Sequence, residues 1–247
     1  MIICEVGLNH MGDDSLAIKM VEKIIHSGAD AISFQLREPE FYKKNPEYLL
    51  SKSFYKTIKK HINSHGKYFG LSVCDDSYSN YVDGVTGDFY KVLSWAINDY
   101  QFVSKLFFES GTDIYLSTGM SNYAELDLLV REYRQYEKKM FLIHTQLSFN
   151  IDDVCLAVIP EMKNRYGPIV CYGHHCEDMS VLDLSTAFLP NSIFFYVKLN
   201  DRIIYPDDKH AVNLEQIDLV VSRLNMLPRA IGVPEKVQMK NQVEGVK

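Results

Sequence analysis

The feature that most constrains the fold is a series of eight short apolar segments that alternate with longer amphipathic stretches along the chain. Each segment has at most seven residues, mainly Ile, Val, Phe, Tyr and Leu, without strict polar alternation. Continuous apolar strands of this length are typical of a parallel sheet that is covered on both faces. The predicted strands cover residues 2–8, 31–35, 68–73, 90–94, 113–118, 140–144, 169–173 and 193–199.

Amphipathic patterns between these segments predict helices. Residues 15–26 place Leu16, Met20 and Ile24 on one side, and Gly28 follows at the position of a C-cap. Similar patterns, each with one apolar face, predict the other helices. These cover residues 54–64, 77–88, 99–110, 122–134, 151–165, 179–188 and 214–227.

Eight strands, each followed by a helix or a helix-length gap, predict an α/β fold that closes into a (β/α)8 TIM barrel. The barrel is expected to occupy residues 1–233 as one domain, with a polar tail over residues 234–247. A doubly wound open sheet is the alternative, although such a sheet seldom needs eight evenly spaced units. Residues 37–52 are too many for a simple connection, so we expect them to fold over the barrel mouth.

Charge and cysteine content narrow the class of protein. The formal net charge is −6, from 26 basic and 32 acidic residues, and no stripe of Lys and Arg offers the footprint of a nucleic-acid-binding protein. The five cysteines are odd in number and scattered, which is typical of reduced thiols in the cytosol. No apolar run reaches the roughly 18 residues that a membrane span needs. We therefore expect a soluble, cytoplasmic protein with neither nucleic-acid nor membrane partners.

Polar residues stand near the predicted carboxyl ends of the strands, where a TIM barrel carries its chemistry. Lys91 is the most informative, because an unpaired Lys buried in an apolar strand is costly. Asn9 and His10 could instead form a turn, His144 could be a satisfied core histidine, and the serines could cap helices. The candidates are Glu5, Asn9, His10, Gln35, Lys91, Ser94, Ser117, His144, His174, His175 and Lys198.

The stretch from Glu5 to Gly12 resembles the opening motif E-x-G-x-N-H-x-G of the N-acetylneuraminate (sialic acid) synthase family. The resemblance continues, in order and at family spacing, over about residues 2–232. The first motif and the fifth-strand motif are individually specific, and we expect the family's C-terminal antifreeze-like domain to be absent. The further matching elements are Gly28-Ala29-Asp30-Ala31, Phe34-Gln35, Tyr90-Lys91, Leu116-Ser117-Thr118-Gly119-Met120, Ile159-Pro160, His175, Asp201-Arg202 and Asp208.

This resemblance implies a barrel that condenses phosphoenolpyruvate with the aldehyde of a hexosamine-type sugar to give a nine-carbon 3-deoxy acid. In the family a divalent metal, often Mn²⁺, polarises the aldehyde. By position, the implied catalytic residues are Glu5, Lys91 and His175, of which His175 is also the implied metal ligand. The implied substrate-binding residues are Asn9, His10, Gln35, Ser94, Ser117 and Asp208.

Several family positions are changed in this chain. The second-strand Lys is Ser33, a third-strand hydroxyl is Val73, and the hydroxyl before the seventh-strand histidines is Gly173. The second metal histidine falls at Val197, and one imidazole is not a metal site, so we expect Mn²⁺ to bind weakly or not at all. A substitute could come from the loop that follows. The remaining changes are Ala96 and Leu147, and the loop candidates are Asp208 and His210.

Three functions are consistent with these observations. The leading hypothesis is a carbon–carbon bond-forming transferase of nonulosonic acid or surface-glycan biosynthesis that uses phosphoenolpyruvate and a sugar aldehyde. A second hypothesis keeps the barrel and drops phosphoenolpyruvate, as a lyase or aldolase acting on a sugar acid. The third is a barrel without catalysis that serves as a partner subunit. The expected partners are a small-molecule sugar, phosphoenolpyruvate under the first hypothesis, and a second chain in a homodimer or hetero-oligomer.

Overall fold

A computed structural model describes residues 1–167, 169–200 and 202–232, so Asp201 and the predicted tail over residues 234–247 lie outside the described residues. No helix in the described part is long and apolar enough to cross a membrane. The strands are β1 (Ile2–Gly7), β2 (Ala31–Gln35), β3 (Tyr68–Val73), β4 (Phe89–Val92), β5 (Asp113–Ser117), β6 (Met140–His144), β7 (Val170–Gly173), β8 (Ile193–Lys198) and β9 (Val212–Asn213). The α-helices are α1 (Asp14–Ile25), α2 (Pro39–Lys44), α3 (Lys52–Ser64), α4 (Tyr100–Ser110), α5 (Tyr123–Glu132), α6 (Val158–Tyr166), α7 (Ser180–Ser185) and α8 (Ile217–Met226).

The strands β1 to β8 run parallel, and each pairs with the next along the chain. β1 also pairs with β8, from Ile2 beside Ile193 to Glu5 beside Tyr196, so the sheet closes on itself. Since a doubly wound sheet leaves two open edges, this closure confirms the (β/α)8 barrel and excludes the alternative. The short strand β9 adds a parallel pair to the end of β8.

Strand alternation divides the core into two regions. Outward-facing side chains such as Leu71, Leu116 and Val197 belong to one large apolar cluster. Inward-facing side chains meet on the barrel axis and form a second buried cluster, which we call the apolar floor. It consists of Ile3, Ala31, Phe89, Tyr115, Ile143, Cys171 and Phe194.

The prediction of a helix over residues 77–88 is wrong. Only a 3-10 turn forms there, at Asp76–Asn80. Asp83 and Gly84 have φ angles of 50° and 74°, which an α-helix cannot contain. Apolar spacing carries no information about such left-handed positions, so the pattern alone could not exclude a helix.

The helix predicted over residues 151–165 is divided. A 3-10 turn at Ile151–Asp153 precedes α6, and Cys155, with a φ of 50°, interrupts the helix between them. The long segment 37–52 forms α2 and a 3-10 turn at Pro46–Tyr48 before α3 begins. These segments belong to connections at the carboxyl ends of strands, where the backbone is least regular.

Gly70 makes room for Phe89 in the apolar floor, because a Cβ at position 70 would lie 2.1 Å from Cζ of that ring. We expect Gly70→Ala to lower the free energy of unfolding by about 1–3 kcal/mol through overpacking, as measured by urea denaturation. The pair Gly70→Ala/Phe89→Leu should lose less than the sum of its two single losses, because the smaller side chain admits the methyl group. A Gly70→Ala variant as stable as the parent would contradict this packing.

Candidate active site

A layer of polar side chains lies directly above the apolar floor. Side chains two positions apart on a strand point the same way, so each of the strands β1 to β8 adds one residue to this layer, two positions after the residue that it places at the level of the apolar floor. The polar residues of the layer are all buried, with exposures of at most 4%. Buried polar groups are costly unless they bind one another or a ligand, so this polar layer is the candidate active site. Its polar members are Glu5, Ser33, Ser72, Lys91, Ser117, Thr145 and Tyr196, and at the same level β7 has Gly173.

The centre of the polar layer is an ion pair between Glu5 and Lys91. Lys91 Nζ lies 2.6 Å from Glu5 Oε2, and the two side chains are 4% and 3% exposed. Ser72 and Ser33 donate hydrogen bonds to the other carboxylate oxygen, at 3.2 and 3.4 Å. Ser33 stands where the resemblance has a Lys, so in this chain that position serves the carboxylate rather than an anionic ligand.

Lys91 keeps donors for a ligand. An ammonium group has three N–H bonds, and Glu5 is the one acceptor that Lys91 bonds among residues 1–167, 169–200 and 202–232. The rings of Phe194 and Tyr196 lie with their centroids 5.4 and 5.7 Å from Nζ, where they stabilise the cation. The Lys91 ammonium group therefore keeps N–H donors that a bound anion can accept.

Three hydroxyl side chains line the wall formed by the ends of β4, β5 and β6. Ser94 Oγ and Ser117 Oγ lie 2.9 Å apart, and neither serine is the N-cap of α4 or α5. Thr145 Cγ2 and Ser94 Oγ lie 2.9 and 3.2 Å from the point that a Cβ of Gly119 would occupy, so these two residues border one small region and Ser117 adjoins it through Ser94. Hydroxyl donors beside Lys91 suit an anionic ligand.

Position 197, to which the resemblance assigns the second metal histidine, does not face the barrel axis. Val197 is fully buried in the outer apolar cluster, whereas Tyr196 faces the axis and donates a hydrogen bond to Gln35 Oε1 at 3.1 Å. Adjacent strand residues point to opposite faces, so a histidine at position 197 would not reach the site. Lys198 has the inward parity of Tyr196 and pairs with Asp208 at 3.0 Å. The presence of Val at position 197 is therefore no longer a reason to expect weak Mn²⁺ binding.

A second imidazole and a carboxylate reach the mouth from the loop after β8. His175, two residues beyond Gly173, stacks on His210 with ring centroids 4.7 Å apart and an interplanar angle of 26°. Both ring nitrogens of His210 are buried without a hydrogen-bond partner in the described part of the chain. Asp207 Oδ1 lies 3.8 Å from His210 Nε2.

Burial and neighbouring charges set the protonation of these three groups. Burial, with contributions from His210 and Lys91, holds the pKa of His175 well below its usual range. Burial, with a contribution from Lys91, lowers the pKa of His210 to about 4. Burial and the charge of Glu5 raise the pKa of Asp207 to about 7, against the attraction of Lys91. Near neutral pH both imidazoles are therefore neutral, and a large fraction of Asp207 is protonated.

This arrangement does not fit the divalent metal that the resemblance implies. A ligating imidazole directs an in-plane lone pair at the ion, and two rings stacked at 26° do not direct their lone pairs at one point. Across the described ranges, no three His, Cys, Asp or Glu side chains form a group that could hold a metal ion. His175 as a metal ligand and Mn²⁺ as a cofactor stay predictions.

The side chains of Asn9 and His10 both form hydrogen bonds with backbone groups. Asn9 Nδ2 donates to the Val197 carbonyl at 2.9 Å, and Asn9 Oδ1 accepts from the Asp207 N–H at 3.0 Å. His10 is 1% exposed, and its Nδ1 accepts from the Gly12 N–H at 2.9 Å. Asn9 therefore positions the backbone of Asp207. His10 Nε2 is buried without a hydrogen-bond partner in the described part of the chain, so the turn satisfies only one nitrogen of that ring.

Two other histidines lie away from the barrel axis. His144 Nε2 lies 2.9 Å from the Val154 carbonyl, as expected of a satisfied core histidine. His174 is buried, and its Nδ1 lies 3.2 Å from the Tyr172 hydroxyl. His175 has the opposite parity and is the member of the pair that faces the mouth.

Sequence reasoning missed three residues of the site. Asp208 was predicted to bind the sugar, but its side chain is 41% exposed and pairs with Lys198 at the rim, whereas the adjacent Asp207 points inward. No periodic signal distinguishes neighbouring residues of a loop. Tyr196 and Thr145 could have been found, because each stands two positions after an apolar strand residue that faces the axis.

The chain is a closed (β/α)8 barrel with a buried polar layer at the carboxyl ends of its strands, which is the end where barrels of this class carry their functional residues. Within that class, this chain belongs to the NeuB family, whose model matches residues 40–236. This result confirms the resemblance seen in the sequence.

The similar proteins include several named sugar-acid synthases. An uncharacterized protein of Methanocaldococcus jannaschii is 26% identical over 252 residues, covering 98% of this chain and 74% of that protein. Human N-acetylneuraminate-9-phosphate synthase is 22% identical over 261 residues (95% and 72%), and N,N'-diacetyllegionaminic acid synthase of Campylobacter jejuni is 22% identical over 273 residues (100% and 81%). The N-acetylneuraminic acid synthetase of Leptospira borgpetersenii superposes with a TM-score of 0.85 at 21% identity, covering 99% of this chain and 89% of that one.

Removal of Lys91 would leave the Glu5 carboxylate buried with two hydroxyl donors and no cation beside it. We expect Lys91→Met to lower the free energy of unfolding by about 3–5 kcal/mol, because an uncompensated buried charge is strongly destabilising. The double variant Lys91→Met/Glu5→Gln should be more stable than Lys91→Met alone, since it removes both charges. Urea denaturation of the parent and these variants checks both expectations, and equal stability of Lys91→Met and parent would contradict them.

Proposed function

We propose that this protein is a cytoplasmic enzyme that condenses phosphoenolpyruvate with a sugar aldehyde to form a nine-carbon sugar acid. Relatives with established names make such acids: N-acetylneuraminate-9-phosphate synthase, N,N'-diacetyllegionaminic acid synthase and pseudaminic acid synthase. The observation that carries the proposal is the polar layer, with the Lys91–Glu5 pair at its centre. A barrel with a purely structural role would fill these positions with apolar side chains.

The binding of phosphoenolpyruvate is assigned to the side of the site that carries Lys91 and the serines. Lys91 offers two N–H donors beyond the one that Glu5 accepts, and the hydroxyls of Ser94 and Ser117 lie together on the neighbouring wall. Charge-assisted hydrogen bonds of this kind are the strong ones. The sugar aldehyde then lies toward His175, Asp207 and the loop after β8.

The proposed reaction joins C3 of phosphoenolpyruvate to the aldehyde carbon. The aldehyde oxygen takes up a proton and becomes a hydroxyl, and water adds to C2. The bond between C2 and the phosphate oxygen then breaks, inorganic phosphate leaves, and C2 becomes the ketone of the product. We assign proton donation to Asp207, because it lies in the mouth beside His210 and is substantially protonated near neutral pH.

The same ion pair also favours a second candidate function, a barrel that binds a sugar or sugar acid without phosphoenolpyruvate. Glu5 already balances the charge of Lys91, and Ser33 replaces a Lys of the family pattern. A highly charged ligand therefore finds less compensation here than a weakly charged one. Under this function the chain would act as a lyase or aldolase, or as a partner subunit in association with a second chain.

Phosphate release decides between these functions. We expect purified protein to release inorganic phosphate when it receives phosphoenolpyruvate, Mn²⁺ and a panel of N-acetylated amino sugars and aldoses. Calorimetry should then show phosphoenolpyruvate binding in the micromolar range. Binding without phosphate release from any sugar would overturn the synthase, and absence of both would favour the second candidate.

Asp207→Asn tests the assignment of the proton donor. The acid form of Asp207 is required, and its pKa is raised to about 7 by burial and by Glu5, so the rate should fall as the pH rises through about 7. In Asp207→Asn we expect kcat to fall by about 10²–10⁴-fold and this alkaline decline to disappear. The rim variant Asp208→Asn is the matched control and should keep the decline. An unchanged pH–rate profile in Asp207→Asn would remove Asp207 from proton transfer.

A further inference from the structure

Thr145 carries a buried hydroxyl that has no hydrogen-bond partner in residues 1–167, 169–200 and 202–232. The residue is 2% exposed, and its Oγ1 is fully enclosed. Thr118, at the end of the neighbouring strand, shows the usual arrangement, because its Oγ1 donates to the Ile143 carbonyl at 2.9 Å. Since an orphaned buried hydroxyl is unfavourable, the position of Thr145 needs a reason outside the fold itself.

The Thr145 side chain packs closely against two glycines. A Cβ at Gly119 would lie 2.9 Å from Thr145 Cγ2, and a Cβ at Gly173 would lie 3.4 Å from Thr145 Oγ1. The methyl group therefore contacts Gly119, and the hydroxyl lies beside Gly173. A side chain at position 173 would also come within 2.9 Å of Ile143 Cγ2, so this packing requires a glycine there.

Gly173 is the position where the family resemblance has a hydroxyl. In this chain the neighbouring strand β6 supplies a hydroxyl group instead, through Thr145, which lies beside Gly173 in the polar layer. Thr145 follows β6, whose neighbour β5 ends at Ser117, and Thr145 and Ser94 both border the region above Gly119. The Thr145 hydroxyl thus belongs to the same wall as Ser94 and Ser117.

We propose that Thr145 is a substrate-binding residue, whose hydroxyl donates a hydrogen bond to an anionic oxygen of phosphoenolpyruvate bound at the polar layer. This inference rests on the proposed function and deepens it, because it assigns a binding group that neither motif nor family position contains. It also predicts that the Thr145 hydroxyl raises the affinity for the ligand and lowers the stability of the ligand-free protein. A hydroxyl kept for a ligand weakens the empty protein, whereas a hydroxyl with a structural role strengthens it.

The test compares three variants of the full chain by calorimetry, with phosphoenolpyruvate and, separately, inorganic phosphate as probes. Thr145→Val removes the hydroxyl at nearly constant volume and should weaken binding by roughly ten- to a hundredfold, as expected for one hydrogen bond to a charged oxygen. Thr145→Ser keeps the donor and should bind within about threefold of the parent. The matched control Thr118→Val should bind like the parent.

Thermal unfolding of the same proteins without ligand supplies the second readout. Thr145→Val should unfold at a temperature equal to or above that of the parent, and Thr118→Val should unfold at a lower one, because only Thr118 loses a hydrogen bond. Parent-like affinity in Thr145→Val, or a clear loss of its thermal stability, would overturn the role of Thr145 and leave the proposed function standing. A parent that binds phosphate but not phosphoenolpyruvate would overturn the proposed function, and the phosphate affinities would still test Thr145. A parent that binds neither probe would overturn both.

Discussion

The buried ion pair between Glu5 and Lys91 is the constraint on which the rest of the barrel interior depends. It joins the first strand to the fourth across the barrel and lies on an apolar floor that cannot solvate either charge. Ser33, Ser72 and two aromatic rings complete its surroundings. A buried pair of this kind is weak evidence for stability, since apolar replacements of similar volume often do as well. Its presence is better explained by a ligand that uses the charge.

The architecture could be predicted from the sequence because the signal is repeated. Eight apolar segments of similar length leave few other arrangements, and each prediction supports the next. The predictions were wrong where one residue decides the path of the backbone. Asp83 and Cys155 have positive φ angles, which interrupt a helix even where the apolar spacing is helical. Neither residue type predicts that conformation from the sequence.

The candidate site could be predicted only to within one residue. Family spacing brought attention to Val197 and Asp208, and in both cases the structure places the preceding residue, Tyr196 or Asp207, toward the axis. On β8 the reason is strand parity, which a linear comparison does not register. In the loop the reason is tertiary, because Asn9 holds the Asp207 backbone and so fixes which carboxylate turns inward. Thr145 carries no motif, and its orphaned hydroxyl is visible only after the barrel has closed.

The hydrogen bonds of Asn9 also have a consequence for the order of folding. They join residues that are 188 and 198 positions apart in the chain, across the seam where the first strand meets the last. Contacts of such long range form after the local units, because the entropy of closing the intervening loop has to be overcome first. The loop that brings Asp207 and His210 to the mouth is therefore placed only when the ring of strands is complete. The side of the site that Asp207 and His210 form thus depends on the same seam that closes the barrel, so the pairing of β1 with β8 sets the geometry of the mouth as well as the ring of strands.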